Sequence, residues 1–483
     1  MAQRPSPACV SVLAALVLFS ALHLAGCGGG SSPAPSAPSS GSSAATTAVQ
    51  VNVGDSPSDW ILAFTMNIGS MSLTGSNGSA TVVSSSTPVE MMHLMGAMQP
   101  LAMIAAPQGA YTGASITISS ATVMYMDPTT KTLLQATLPG PFSASIPFGN
   151  SVTLGTTPMA MGFDLDLANS VTAASGGGLA FNPVFHATAG TQGSGNPMDW
   201  SDGGIQQMMG AVTAVAASSF TMTSLQASQS FTFQTNSSTS FSGAMGGGSS
   251  MSAMSSGMLV VVDAEMQADG SLLATDVRQM MGSGGAMGGG IVTAITGQPP
   301  SSLTMVMQNG SGVGMMGSFF AAGATVNLSS STTYAIDWDQ MDISGLPFTP
   351  AFDASHLYVG QAVMPVSTGG MMSGSGMGGG MMGGAAQAGT FNASELLLEP
   401  QGLMGTTGAG VSSGSTAAFT LTLPADSAFT TLTGATAVTI YPQSQMILTG
   451  SSPIASGTSV HVFGLLFFDN GQWKMAASRM GAN

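Results

Sequence analysis

Ala48–Leu73 reads AVQVNVGDSPSDWILAFTMNIGSMSL, and the spacing of its apolar side chains decides the fold class. Val49, Val51 and Val53 fall on one side of an extended chain, because successive strand residues point to opposite faces. Asp55-Ser56-Pro57-Ser58-Asp59 is turn chemistry, and Trp60 then opens a second run through Ile61, Phe64, Met66, Ile68, Met71 and Leu73. Tyr111, Ile116, Ile118, Val123 and Tyr125 form a later run that stops at Asp127-Pro128. Alternation bounded by Gly, Pro and Asp turns is the signal of half-buried strands. Helical spacing is scarce, and Gly and Ser interrupt most windows. The expectation is an all-β chain that opens with a β-sandwich over residues 48–188.

Downstream the sequence repeats itself. Gly210-Ala211-Val212-Thr213-Ala214-Val215 recurs as Gly290-Ile291-Val292-Thr293-Ala294-Ile295, and Ser238-Thr239-Ser240-Phe241 as Ser331-Thr332-Thr333-Tyr334. Gly257 precedes Val260 and Val262 as Gly360 precedes Val363 and Val366, and as Gly457 precedes Val460 and Val462. Gly270-Ser271-Leu272-Leu273-Ala274 recurs as Gly389-Thr390-Phe391-Asn392-Ala393, and loosely as Gly471-Gln472-Trp473. One order of strand starters met three times predicts three tandem small β-barrels or sandwiches, at 205–282, 288–400 and 401–483. A Gly ahead of each central strand fits a bulge or tight bend. The third module lacks a clear opening Gly-x-Val-x-Ala, and the second carries a Met/Gly-rich insertion, Met371 to Gly384.

Ahead of the β region, Arg4 precedes an apolar run from Val10 to Leu22, which ends at Leu24-Ala25-Gly26-Cys27. Small residues at Ala25 and Gly26 admit a peptidase, and the Cys27 thiol can carry a thioether-linked diglyceride. An ordinary secretory signal or an anchoring helix is the alternative, but the run is short for a span and no basic stop follows. The pattern resembles a bacterial lipoprotein signal: residues 1–26 are removed, Cys27 becomes the first mature residue, and palmitate-type chains hold it to the bilayer. Residues 27–47, rich in Gly, Ser, Pro and Ala, read as a lipidated flexible tether. Gly28 and Gly29 rather than Asp follow Cys27 at the start of the tether. By the same resemblance, that sorts the protein to the outer membrane of the cell envelope.

Asp55 to Trp60, Gly109-Ala110-Tyr111-Thr112, and Phe163-Asp164-Leu165-Asp166 before Ser170-Val171 resemble an uncharacterised bacterial envelope family, domain of unknown function 4382. That resemblance spans residues 48–188 and implies a β-sandwich on a lipoprotein, with no activity. The repeated modules resemble a second family, domain of unknown function 5666, which occurs in tandem arrays in secreted bacterial proteins.

Composition narrows the partners. Charged residues are 5% of the chain, with five cations against 20 acids, and loss of Arg4 with the signal leaves the mature chain at −16. Four scattered cations cannot neutralise a phosphate backbone or an anionic headgroup layer, which excludes nucleic acid. Cys9 lies in the signal and Cys27 is lipidated, so no thiol remains for a disulfide, a metal or a nucleophile.

Methionine is over-represented, with 39 residues. Met91, Met92, His93, Met95 and Met98 gather four thioethers and an imidazole, a soft set suited to Cu(I) or Ag(I). The competing reading is a Met-rich core strand with one exposed His. Loop methionines such as Met245, Met315, Met316, Met371, Met372, Met381 and Met382 could also act as oxidant sinks. Asp337, Asp339 and Asp342 offer oxygens to Ca²⁺ without the Gly and further ligands of a calcium loop, while Asp164 and Asp166 read as solvent-facing. Gly410-Val411-Ser412-Ser413-Gly414 and Gly312-Val313-Gly314-Met315-Met316-Gly317 match hydrolase and dinucleotide patterns by letters alone. His186, His356 and His461 stand alone in sequence. No cofactor follows from the sequence. The expectation is a non-enzymatic, lipid-anchored envelope protein. It would bind a glycan or another envelope component on hydroxyl-rich surfaces carrying Trp200, Trp338 and Trp473, with soft-metal binding as the alternative.

Overall fold

The computed structural model describes residues 45–482, apart from 57, 95–97, 128, 174–177, 191–199, 226, 228, 244–249, 280–288, 309–322, 337–340, 342, 367–389 and 450–452. The described elements are nearly all strands, and no described helix is long and apolar enough to cross a membrane. The first part contains β1 (Thr46–Ser56), β2 (Ile61–Gly75), β3 (Gly78–Val83), β4 (Thr87–Glu90), β5 (Met98–Pro107), β6 (Gly109–Met126), β7 (Leu133–Leu154) and β8 (Met159–Asp166). The one-turn helix α1 (Leu167–Ser170), β9 (Val171–Ala173), β10 (Leu179–Phe181) and β11 (Phe185–Ala189) complete it. One sheet runs β11-β8-β1-β5, the other β3-β2-β6-β7 with β4 beside β2, and β9 pairs with β10.

The alternating residues do what their spacing predicts. Val49, Val51, Val53, Phe64, Met66, Ile68, Ile116 and Ile118 meet in one core between the two sheets. Tyr111 is buried in the same core, and its hydroxyl donates to the Pro107 carbonyl at 2.8 Å. The opposite face of β1 departs from expectation: Gln50 and Asn52 are fully buried as well. The next barrel covers that face. Met103 of β5 packs into the barrel's core, and a side chain at Gly162 would run into the Trp200 ring.

That barrel comprises β12 (Gly204–Val215), β13 (Ser219–Ser224), β14 (Ser230–Gln234), β15 (Ser240–Ser242), β16 (Leu259–Met266) and β17 (Leu272–Gln279). The second group comprises β18 (Gly290–Thr296), β19 (Ser302–Met307), β20 (Ala324–Asn327), β21 (Thr333–Ile336), β22 (Ala362–Val366), β23 (Thr390–Asn392) and β24 (Glu395–Leu398). The third comprises β25 (Gln401–Thr407), β26 (Phe419–Thr422), helix α2 (Ala428–Thr433), β27 (Ala437–Thr449), β28 (Ser459–Asp469) and β29 (Gln472–Ala482).

The third group closes in the order β25-β26-β27-β29-β28, with β27 and β29 parallel. This is the strand order of a five-stranded Greek-key barrel of the OB type. The first group forms the same ring through a parallel β14–β17 pair, with β15 continuing the third strand. In the second group both the third and the last strand are broken, and β20–β23 and β21–β24 supply the two halves of the parallel seam.

Backbone hydrogen bonds superimpose the three copies residue by residue. Gly257, Gly360 and Gly457 all have positive φ, where glycine carries no steric penalty. Their N–H groups donate to the carbonyls of Val212, Val292 and Thr407, each at 2.8 Å. Both complete opening motifs also carry a bulge at the same step, Val212/Ala214 and Val292/Ala294. The opening missing from the third copy by sequence is therefore Gly405-Thr406-Thr407. Thr in place of Val hides it.

The modules are not beads on a string. Leu465, Phe467 and Ala476 of the third barrel belong to the core of the second. Leu62, Ala63, Met124 and Met126 of the sandwich pack with Ile291, Val306 and Ala362 of the second and Ala428 of the third. Met364 joins Met209, Leu225 and Val261 of the first.

Candidate functional site

The sequence-predicted residues scatter. Cys27 with Leu24, Ala25 and Gly26, the acids Asp337, Asp339 and Asp342, Trp338, the Gly312–Gly317 stretch, the loop methionines named above and the 371–384 insertion lie outside the described residues. So do Met95 and the His93 side chain. Met91 and Met92 are 0% and 2% exposed in the sandwich core, and Met98 is half-buried. Two of the four thioethers thus serve packing. Met91→Leu and Met92→Leu are each expected to change stability by less than about 1.5 kcal/mol, as volume-conserving swaps do. They should also leave Cu(I) uptake unchanged. Urea unfolding and a competition titration check this, and a loss of Cu(I) binding would return both sulfurs to a ligand role.

Trp473 is a core residue, not a surface aromatic. Its ring meets Phe429 at 5.1 Å and Phe468 at 5.0 Å between centroids. No helix follows Gly410–Gly414; the next regular element is β26, so the hydrolase pattern lacks its strand-turn-helix context.

The carboxylates expected at solvent are drawn together instead. β1 and β8 run parallel, with Gly54 beside Asp164 and Ser56 beside Asp166. Asp164 is half-buried, and the Ser56 hydroxyl donates to it at 2.5 Å. Asp166 caps α1, accepting from the Asn169 N–H at 3.0 Å, and sits 3.6 Å from His186. His186 is therefore not alone. Neither is His356, whose Nδ1 lies 2.9 Å from Asp353. The Ser355 hydroxyl, helped by His356, pulls the Asp353 carboxyl down to about 2.

Asp55 lies deepest in this group. It is 3% exposed, and neither carboxylate oxygen has a hydrogen-bond partner. Burial first, then the charges of Asp164 and Glu90, push its carboxyl well above the ordinary range. Glu90 accepts from the N–H groups of Phe64 and Met92, both at 3.1 Å. Among the described residues no three acid or His side chains converge as metal ligands.

Two clefts lie where the modules meet. The first, about 550 Å³, separates the sandwich from the second and third barrels. Its glutamines are committed to the seam: Gln308 donates to the Leu62 carbonyl at 2.7 Å and Gln401 to that of Gly360 at 2.9 Å. The second, about 510 Å³, lies among Gln206 and Gln207 of the first barrel, Met341 and Pro400, and the third barrel's Gln443, Gln445, Ile447, Phe463, Ser478 and Arg479. Gln443 donates to the Tyr441 carbonyl at 3.3 Å and Ser478 to that of Phe463 at 3.4 Å. Among the described residues, Gln206 and Gln445 have no side-chain hydrogen-bond partner, and Arg479 Nη1 is buried without one. The guanidinium carbon stands 5.1 Å from the centre of the Phe463 ring, and burial pushes the group down to about 10.

Gln206 and Gln207 belong to the barrel that comparison with known families singles out. Residues 209–278 match the family Domain of unknown function (DUF5666). The match runs from within β12 to within β17 and so covers nearly all of the first barrel. No curated protein matches the chain.

Proposed function

We propose that the chain is a non-enzymatic protein of the cell envelope, anchored by a diglyceride on Cys27, that binds an envelope glycan or another envelope component. One observation carries the binding reading. The cleft among the three barrels is lined by Gln206, Gln445 and Arg479, whose side chains include polar groups with no partner among the described residues. Fused cores behind it favour a preformed site, which keeps the ordering cost of binding low. The resemblance of residues 48–188 to domain of unknown function 4382 adds support for an envelope setting. Soft-metal binding has less to rest on, since Met91 and Met92 are taken up by packing.

The anchor is tested by expressing the full chain with labelled palmitate in a Gram-negative host. Label should enter the protein, and Cys27→Ser should abolish incorporation and release the chain from the membrane fraction. Unlabelled, membrane-free protein with Cys27 intact would end the lipoprotein reading. A glycan array probed with the full chain tests the ligand.

A further inference from the structure

We infer that the cleft among the three barrels takes a carboxylate-bearing saccharide, with Arg479 as the group that selects the acid. The inference rests on the ligand-binding reading above and narrows its ligand class.

The barrel superposition shows what is unusual about this arginine. Counting six residues on from Gly257, Gly360 and Gly457 gives Asp263, Val366 and Phe463. Across the sheet these pair with Asp276, Glu395 and Arg479. Two barrels place an acid at this position of the last strand, and the third places a cation. Arg479 is flanked in register by Phe463 on one side and Ile447 on the other. Gln443 and Gln445 precede Ile447 at every second residue and line the same cleft.

Among the described residues the charge has no counter-ion. Lys474, five residues earlier on the same strand, is held by Asp469 at 2.5 Å. Among the described residues Arg479 has no carboxylate partner, and no acid is among those that line the cleft. A buried guanidinium left unpaired is costly, and its planar fork matches a carboxylate through two parallel hydrogen bonds. The remaining lining favours a sugar as the body of the ligand. Gln206, Gln445 and Ser478 can donate and accept, as ring hydroxyls require, while Ile447 and Phe463 offer apolar contact for a sugar's C–H face.

The test is calorimetric titration of the full chain with trigalacturonate, alongside neutral galactotriose and triglutamate as competing chemistries. Saturable binding of trigalacturonate is expected, with galactotriose about tenfold weaker or worse, a difference appropriate to one charge-assisted contact. Arg479→Gln should weaken trigalacturonate by about tenfold or more, leave galactotriose unchanged, and not lower the melting temperature, because it removes an uncompensated charge. Arg479→Lys should recover part of the loss, and Lys131→Gln, at an exposed turn, should change nothing.

Trigalacturonate binding unaffected by Arg479→Gln would overturn the assignment. So would triglutamate binding equal to that of trigalacturonate. Binding to neutral glycans with no preference for acid would overturn it too, while leaving the broader glycan reading in place. Absence of any saccharide binding, in titration and on the array, would remove both.

Discussion

Gly290→Ala is expected to destabilise the protein by roughly 3 kcal/mol, at the upper end of overpacking in a well-filled structure. Gly290 opens the second barrel, where β18 crosses β19 just before its bulge. A Cβ there would press on the Val306 carbonyl, which is ladder backbone and cannot swing aside as a side chain can. The equivalent residues report the same crowding. A Cβ at Gly210 would lie 2.7 Å from the Thr223 carbonyl, and one at Gly405 would meet that of Thr422. Each of the three glycines pairs with the first core valine of the fourth strand: Val260, Val363 or Val460. The site thus lies where strand one is held between its two neighbours. Gly257→Ala is the control. Its φ of +91° strains any L residue, but nothing lies within 4 Å of the new methyl group, so the cost is about 1 kcal/mol. Urea unfolding of both variants decides the matter. Equal midpoint shifts would mean that backbone conformation, not close approach, explains these repeated glycines.

Alternation made the first sandwich legible. Except for Trp60, which is half-buried, every apolar residue named in the runs from Val49 to Tyr125 is buried, because a strand's period of two leaves little choice of face once a core exists. The repeat was legible wherever Gly and Val were kept. It faded at Thr407, where a hydroxyl that donates to the Ala409 carbonyl at 2.6 Å stands where the other copies hold valine. Two things were not legible. Burial of Gln50 and Asn52 depends on a separate barrel docking on the outer face of β1, and alternation within one strand carries no trace of that. The meeting of Asp55 with Asp164 depends on a parallel pair joining segments more than a hundred residues apart, and local spacing says nothing about such partners. The cleft around Arg479 combines both difficulties. Its lining comes from three barrels, and only their superposition reveals that one arginine occupies an acidic position.

Asp55→Asn should make stability less dependent on pH, and the direction follows from linkage. Asp55 is buried with both oxygens unpartnered, and Asp164 and Glu90 add like charge, so its folded-state pKa lies well above the ordinary carboxylate range. Below the unfolded value the proton is bound in both states, and stability from this group is fully present. As pH rises the unfolded chain releases its proton while the folded chain keeps it. Stability then falls by about 1.4 kcal/mol per pH unit until the folded pKa is reached. Asparagine has nearly the same shape as the protonated acid and no proton to lose, so its curve lacks this slope. Asp164, Asp59 and Glu395 are also raised, chiefly by burial, and contribute slopes of the same sign. They are present in both proteins and largely cancel in the comparison. Melting curves of the two chains should therefore nearly coincide around pH 4 and separate steadily above it, with the asparagine variant the more stable. A constant gap from pH 4 to pH 8, or an asparagine variant that is weaker at neutral pH, would show that Asp55 is ionised and held by partners in the folded protein.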